Sequence, residues 1–98
     1  MERPLKEIIG ILSKHKTNLC EDYEIREIGI FGSFVRGDQR KGSDIDILVE
    51  FSEIPGLLRF IEIENHLRRI LKKKVDLVRK GAIRPELKER ILSEVLYI

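Results

Sequence analysis

The chain has 98 residues, which is enough for one domain with a modest core, and we expect residues 1–98 to form that single domain. Apolar residues make up 42% and charged residues 37%, with 19 Lys and Arg against 17 Asp and Glu. This balance excludes both a disordered chain and a strongly basic nucleic-acid-binding protein. Cys20 is the single cysteine, which excludes an internal disulfide, and it lies too far from His15 and His66 in sequence for a local zinc motif.

Hydropathy places the chain away from membranes. No apolar run approaches the ~20 residues that a membrane span needs, and the N-terminus lacks the apolar segment of a signal peptide. We therefore expect a cytoplasmic protein that has no membrane partner.

The first predicted element is an amphipathic helix over residues 4–17, which begins at Pro4, a residue favoured in a first helical turn. Its apolar residues recur at helical spacing: Leu5, Ile8, Ile9 and Leu12. The segment EIREIGIFGS (24–33) predicts a short strand that ends at Gly32. Its two faces carry Ile28 and Ile30 on one side and Gly29 and Phe31 on the other.

The middle of the chain predicts a turn and a second strand. SFVRGDQRKGS (33–43) combines turn formers with basic residues, which indicates one helical turn and then an exposed loop. DIDILVEF (44–51) alternates as a strand does. The alternating sets are Ile45, Ile47, Val49 and Phe51 against Asp44, Asp46, Leu48 and Glu50.

The second half of the chain predicts a long helix from Leu57 to about Lys72, a strand KVDLV (74–78) and a last helix that Pro85 opens. The inner face of the last helix is predicted to be Leu87, Ile91, Leu92 and Val95. The order α-β-(short α)-β-α-β-α indicates an α/β arrangement of helices around a small sheet. The sequence does not fix the directions of the strands.

Two aspartates share one face of the second predicted strand. Side chains two residues apart point the same way, so Asp44 and Asp46 are attached roughly 6–7 Å apart. Like charges this close repel, and a divalent cation such as Mg²⁺, which prefers oxygen ligands, would relieve that repulsion. The alternative is that the two acids are only the polar side of a half-exposed strand.

Gly32 and Ser33 lie at a predicted strand-to-helix junction. Free backbone N–H groups at such a junction favour an anion, and glycine lets a phosphate approach the backbone. The alternative is that the pair simply caps a helix.

Asp76 is a third acid, flanked by apolar residues in the predicted strand 74–78. One interpretation pairs it with Lys74 or an arginine at the strand end. The other directs it toward Asp44 and Asp46, where it would ligate the metal and take a proton from an attacking hydroxyl.

Arg36 lies one turn after Ser33, where it is a candidate phosphate ligand; the alternative is an exposed ion pair with Asp38. The basic run RRILKKK (68–74) closes a predicted amphipathic helix, where cations favour the negative end of the dipole. Because no aromatic residues are interleaved in that run, nucleic-acid binding there is disfavoured.

Taken together, GS at 32–33, DID at 44–46 and Asp76 resemble the DNA polymerase beta-like nucleotidyltransferase superfamily. The stretch IGIFGSFVRGDQRKGSDIDILVEF (28–51) is most similar to the minimal nucleotidyltransferase family and matches its sequence motif GS-xx-RG…SD-x-D. The positions that complete the match are Arg36, Gly37, Ser43 and Asp44. The resemblance covers essentially the whole chain and implies an α/β (α+β) palm-like fold, with a small mixed sheet of three or four strands flanked by helices.

The resemblance also implies an enzyme that transfers AMP from ATP to a hydroxyl acceptor. Gly32 and Ser33 would then hold the β- and γ-phosphates, and the nucleotide-binding set would also include Arg36 and Ser43. Two Mg²⁺ ions would bind Asp44 and Asp46, with Asp76 completing one metal site.

For partners, the resemblance implies a HEPN-domain toxin whose tyrosine receives AMP, so that this chain would act as the antitoxin of a type VII-like pair, in a homo- or hetero-oligomer. The alternative function is a catalytically silent module that neutralises its partner by contact alone. The set of three acids favours the enzyme, since a purely steric inhibitor has no need of it.

Overall fold

The computed structural model describes residues 4–98. Within this range the chain alternates helices and strands in the predicted order and adds a short 3-10 turn and a final strand. The elements are α1 (Leu5–Tyr23), β1 (Ile25–Phe31), α2 (Ser33–Arg36), β2 (Ile45–Phe51), α3 (Leu57–Leu71), β3 (Val75–Arg79), the 3-10 turn Lys80–Ala82, α4 (Pro85–Glu94) and β4 (Leu96–Tyr97).

The four strands form one mixed sheet in the order β3-β2-β1-β4. β1 runs antiparallel to both of its neighbours, β2 and β4, whereas β2 and β3 are parallel. The connection between the parallel strands is α3, as a crossover between parallel strands requires. The predicted mixed α/β fold with a small sheet is therefore confirmed.

The two faces of the sheet carry cores of unequal size. The larger core lies between one face and the helices α1 and α3, and its fully buried members include Ile8, Leu12, Ile30, Ile45, Ile47, Val49, Ile63 and Leu67. The smaller core joins Phe31 and Leu48 on the other face to Ile91 of α4. The predicted alternation is confirmed in β2 and in β1 from Ile28 onward, where Ile28 and Ile30 join the larger core and Phe31 the smaller one. A register shift near the start of β1 places Ile25 in the larger core as well.

Two predicted helix boundaries were wrong. α1 continues to Tyr23, six residues past the predicted end, because Leu19 extends its buried face and no helix breaker follows residue 17. The helix stops where Glu24 adopts a left-handed conformation and its N–H bonds the Cys20 carbonyl. α4 ends at Glu94, so Val95 is not part of that helix, because residues 96–97 pair with β1 as a strand. Among residues 4–98, no helix is both long and apolar enough to cross a membrane.

Candidate active site

Asp46 and Asp76 lie directly opposite each other in the parallel pair of β2 and β3. Paired residues of neighbouring strands are about 4.8 Å apart and point to the same face of the sheet. Leu48, two residues after Asp46, packs in the smaller core against α4, so both aspartates face the α4 side. The sheet therefore brings together two acids that lie 30 residues apart in sequence.

Asp44 precedes β2 and is exposed. Burial, together with the charges of Asp76 and Asp44, raises the pKa of Asp46 to about 6. Burial likewise raises the pKa of Asp76, with added contributions from Glu64 and Asp44. Arg36 lowers the pKa of Asp46 and Arg68 lowers that of Asp76, but these contributions are smaller than those of burial and the neighbouring acids. The three aspartates therefore form an electrostatic cluster whose positive neighbours compensate only part of its negative charge.

Gly32 provides the floor against which the Asp46 carboxylate packs. Its φ is 82°, a conformation that glycine adopts far more readily than other residues, and a Cβ at this position would overlap the carboxylate. The chain turns here from β1 into α2, so the backbone of the Gly32–Ser33 junction comes within contact of an acid from the neighbouring strand. The glycine is thus required both for the turn and for the close approach.

Arg36 at the end of α2 joins two acids. Its Nε donates to Asp38 Oδ2 at 3.2 Å, and its Nη1 donates to the two carboxylate oxygens of Glu94 at 3.2 and 3.0 Å. Hydrogen bonding to Asp38 raises the pKa of Arg36 above its ordinary value. The ion pair with Asp38 agrees with one of the two roles that the sequence suggests for Arg36. The ion pair with Glu94 was not predicted.

The two serines of the predicted site have different surroundings. Ser33 is the first residue of α2 and is half-buried. Ser43 closes the loop before β2, since its Oγ accepts the Arg40 N–H at 2.8 Å and its own N–H donates to the Arg40 carbonyl at 2.9 Å. This turn fixes the position of Asp44, the next residue in the chain.

A cavity of about 340 Å³ adjoins the two facing aspartates. Its walls are mostly apolar, with two arginines at the α4 side. The lining residues are Phe31, Asp46, Asp76, Val78, Ala82, Ile83, Arg84, Leu87, Arg90 and Ile91. The cavity can hold a flat apolar group beside a carboxylate, and its two arginines can bind an anionic group. A larger cavity, of about 420 Å³, lies between the end of α1 and the start of α3 and is lined by none of the predicted site residues.

No group of three or more His, Cys, Asp or Glu side chains in residues 4–98 is arranged to hold a metal ion. Magnesium, however, is commonly bound by one or two carboxylates together with substrate phosphates. Asp46 and a neighbouring acid fit this requirement. Burial and then neighbouring negative charge raise their pKa values, and a bound cation would neutralise that charge.

Sequence reasoning missed Glu94, Arg84 and Arg90 at this site. Glu94 lies 58 residues after Arg36, and only the pairing of β4 with β1 brings the end of α4 beside α2. No local pattern in the sequence signals that pairing. Arg84 precedes Pro85 at the start of α4 and Arg90 lies within the helix. Pro85 identifies the helix in the sequence, but no sequence signal identifies the cavity that the two arginines line.

Comparison with known proteins gives a consistent result. The nucleotidyltransferase domain family matches residues 12–98. The chain is 49% identical over 94 residues to protein adenylyltransferase MntA of Thermococcus cleftensis, which covers 96% of this chain and 95% of that protein.

Two solved structures share the fold. The structure of a candidate minimal nucleotidyltransferase matches with a TM-score of 0.73 and 30% identity, covering 91% of this chain and 93% of that one. A chain of a toxin-antitoxin complex with AMP-PNP matches with a TM-score of 0.71 and 26% identity, covering 86% of this chain and 69% of that one.

Proposed function

The chain belongs to the nucleotidyltransferase domain family, and from this premise we propose that it is a Mg²⁺-dependent protein adenylyltransferase that moves AMP from ATP to a partner protein. The proposed acceptor is a tyrosine hydroxyl of a HEPN-domain toxin, which makes this chain the antitoxin of a type VII-like pair. The name of the Thermococcus relative supports the protein acceptor, and the AMP-PNP complex of a related toxin-antitoxin pair supports the nucleotide.

The observation that carries the proposal is the in-register position of Asp46 and Asp76, with Gly32 packed against one of them. A strand pair that served only as a scaffold would gain nothing from two facing like charges, since the repulsion costs stability. An enzyme that binds cations and a triphosphate at the same place uses that charge.

In the proposed reaction the acceptor hydroxyl attacks the α-phosphorus of ATP. The new P–O bond joins AMP to the acceptor, the bond between the α-phosphorus and the α,β-bridging oxygen breaks, and pyrophosphate leaves with that oxygen. Gly32, Ser33 and Arg36 bind the β- and γ-phosphates of the leaving group, with Ser43 holding the loop that carries Asp44. Two Mg²⁺ ions, each held by one or two of the acids Asp44, Asp46 and Asp76 together with substrate phosphates, would supply positive charge to the phosphate oxygens.

Asp76 takes the proton of the attacking hydroxyl. Its place opposite Asp46 on the neighbouring strand puts a carboxylate beside the proposed metal and nucleotide position, where a general base is needed. It lines the apolar cavity, whose walls suit an aromatic ring presented with its hydroxyl toward the carboxylate. This geometry supports tyrosine over serine or threonine as the acceptor.

The test is transfer of label from ATP to the product of the neighbouring open reading frame, in the presence of Mg²⁺. We expect label from α-labelled ATP and none from γ-labelled ATP, because adenylyl transfer retains only the α-phosphate. The Asp44→Asn, Asp46→Asn double variant should give no label. Exposed Asp22, which lines the cavity at the other end of the fold, provides the matched control variant Asp22→Asn.

Two outcomes would redirect the proposal. Label from γ-labelled ATP would identify a phosphoryl transfer instead. Absence of label with the two proteins still bound to each other would support the silent binding module, which neutralises the partner by contact.

A further inference from the structure

Glu94, the last residue of α4, occupies the donors that the proposed function assigns to nucleotide phosphate. Its Oε2 accepts the Gly32 backbone N–H at 3.3 Å and the Arg36 Nη1 at 3.0 Å, while its Oε1 accepts the same nitrogen at 3.2 Å. The Glu94 side chain is only 14% exposed, against 47% for Arg36. One carboxylate thus bridges the turn after β1 and the end of α2.

This contact imitates a bound phosphate. An anion that accepts a backbone N–H and an arginine N–H at once is the arrangement in which proteins hold phosphate oxygens. The same carboxylate is a negative neighbour of Asp46, whose pKa it helps to raise. A triphosphate placed on the same donors would meet Glu94 as a like charge at contact distance, so the two cannot share the position.

We propose that Glu94 holds the phosphate position in the nucleotide-free protein and that ATP binding displaces it. The inference rests on the proposed function, because it takes Gly32 and Arg36 to be phosphate ligands. Glu94 is then a residue that sets nucleotide affinity by competition and takes no part in the chemistry.

Displacement of Glu94 should also affect the edge strand of the sheet, because β4 begins two residues after Glu94. This strand is held by two residue pairs with β1, Gly29 with Tyr97 and Ile30 with Leu96, and by the Ile98 N–H on the Ile28 carbonyl at 2.9 Å. So short a strand is among the least stable parts of a sheet. Nucleotide binding therefore loosens β4, whose residues Leu96 and Tyr97 are exposed.

The opposing explanation is that Glu94 is a structural clamp that keeps Arg36 ready for phosphate. The two explanations predict opposite signs. A clamp that is removed leaves Arg36 less ordered and weakens nucleotide binding, whereas a competitor that is removed strengthens it.

The experiment compares AMP-PNP binding by calorimetry, with Mg²⁺, in wild type, Glu94→Gln and Glu89→Gln. Glu89 is exposed on the same helix, so its variant controls for the loss of one negative charge from α4. We expect Glu94→Gln to bind AMP-PNP about tenfold more tightly than wild type. This factor corresponds to a wild-type protein in which the Glu94 contact is formed roughly ten times as often as it is open. Glu89→Gln should bind as wild type does.

A second variant separates displacement from a simple change of local charge. Glu94→Asp keeps the charge but shortens the side chain by one methylene, so it cannot span both donors. Tighter AMP-PNP binding by Glu94→Asp supports displacement, and binding unchanged from wild type overturns it. Hydrogen exchange provides the structural readout: AMP-PNP should accelerate exchange of the Leu96 and Ile98 amides in wild type and leave it unchanged in Glu94→Gln.

The outcomes distinguish this inference from the proposed function. Binding that weakens or stays equal in Glu94→Gln, in a wild-type protein that binds AMP-PNP, overturns the inference alone. Failure of wild type and every variant to bind AMP-PNP overturns the proposed function and the inference with it.

Discussion

The two faces of the sheet differ in what they bury. On the α1/α3 face the side chains of β1, β2 and β3 are apolar and form one continuous core with the helices. On the α4 face the core is reduced to Phe31, Leu48 and Ile91 with a few partly buried neighbours, and the rest of the face carries Asp46 and Asp76 beside an open cavity. The same strands supply both faces, because their residues alternate.

This difference shows where the fold obtains its stability. Burial of apolar side chains on one face offsets the repulsion between acids on the other, since folding depends on the sum over the whole domain. A small domain can then keep a destabilising charge cluster without a second domain to support it. Changes on the apolar face should act on stability, and changes on the acidic face should act mainly on transfer.

Replacing Asp76 by Asn should have the largest effect. We expect Asp76→Asn to lower the transfer rate by about a thousandfold, because it removes both the proposed base and a metal ligand. The free energy of unfolding should not fall, since a charge that repels Asp46 is removed. Rates of AMP transfer and urea unfolding curves on the same preparations measure the two quantities.

Asp22→Asn serves again as the distant control and should change neither quantity. Transfer by Asp76→Asn within about threefold of wild type would remove Asp76 from the site. A large loss of stability would mean instead that the acid supports β3, and the comparison of the two faces would fail.

On the apolar face, Ile47→Ala should lower the free energy of unfolding by about 3 kcal/mol, because it leaves a cavity in a fully buried position. Leu87 lines the open cavity on the other face and is only partly buried. Leu87→Ala should therefore cost about 1 kcal/mol. Chemical denaturation of both variants measures the ratio, and equal costs would contradict the unequal distribution of stability between the faces.

Gly32→Ala tests how tightly the acidic face is assembled. Alanine is strained at a φ of 82°, and its Cβ would overlap the Asp46 carboxylate, so we expect a loss of about 2 to 3 kcal/mol. Gly42 has nearly the same φ, 88°, but open space around it. Gly42→Ala should therefore show only the conformational cost, about 1 kcal/mol.

Thermal or urea unfolding of both variants measures the difference. That difference combines the steric contact with Asp46 and the conformational cost at Gly32, whose ψ of −154° few other residues adopt at positive φ. If the two variants lose the same stability, the carboxylate moves aside without cost. The packing of the Asp46 carboxylate against Gly32 would then be less rigid than the distances between them indicate.

The fold and the acidic residues could be predicted from sequence because their signals are local. Alternation identified the strands β1, β2 and β3, and helical spacing identified α1, α3 and α4. Two residues were too few for any period to identify β4, which exists because β1 has a free edge that residues 96–97 can pair with. Because no pattern predicts β4, the sequence places Val95 in the last helix, which in the structure ends at Glu94.

The contacts of the site required the topology. That Asp76 faces Asp46 depends on the parallel register of β2 and β3, and strand direction is not encoded in either segment alone. The contact between Glu94 and Arg36 depends on the packing of α4, which ends 58 residues after Arg36. The aspartates that cluster could therefore be identified in the sequence, whereas Glu94 and the contacts between the site residues could not.

The smallest predicted effect concerns pH. The pKa of Asp46 is raised to about 6 in the folded protein, above its ordinary value, so ionisation of Asp46 opposes folding. In chelator, Asp46→Asn should be more stable than wild type by about 1 to 2 kcal/mol above pH 7, a range reduced from the full shift because the side chain is partly exposed. The stability that wild type has at low pH is lost as pH rises through 6.

The gap between wild type and Asp46→Asn should consequently narrow as the pH falls from 7 to 4 and close below the ordinary pKa of 3.8, where the aspartate is neutral in both the folded and unfolded states. Melting temperatures across that range measure it. Mg²⁺ with AMP-PNP at pH 7.5 should close the gap from the other direction, because bound cations stabilise the wild-type carboxylates and find fewer ligands in the variant. A gap that is constant with pH would mean that Asp46 is ionised without cost, and that the repulsion attributed to the acidic face is absent.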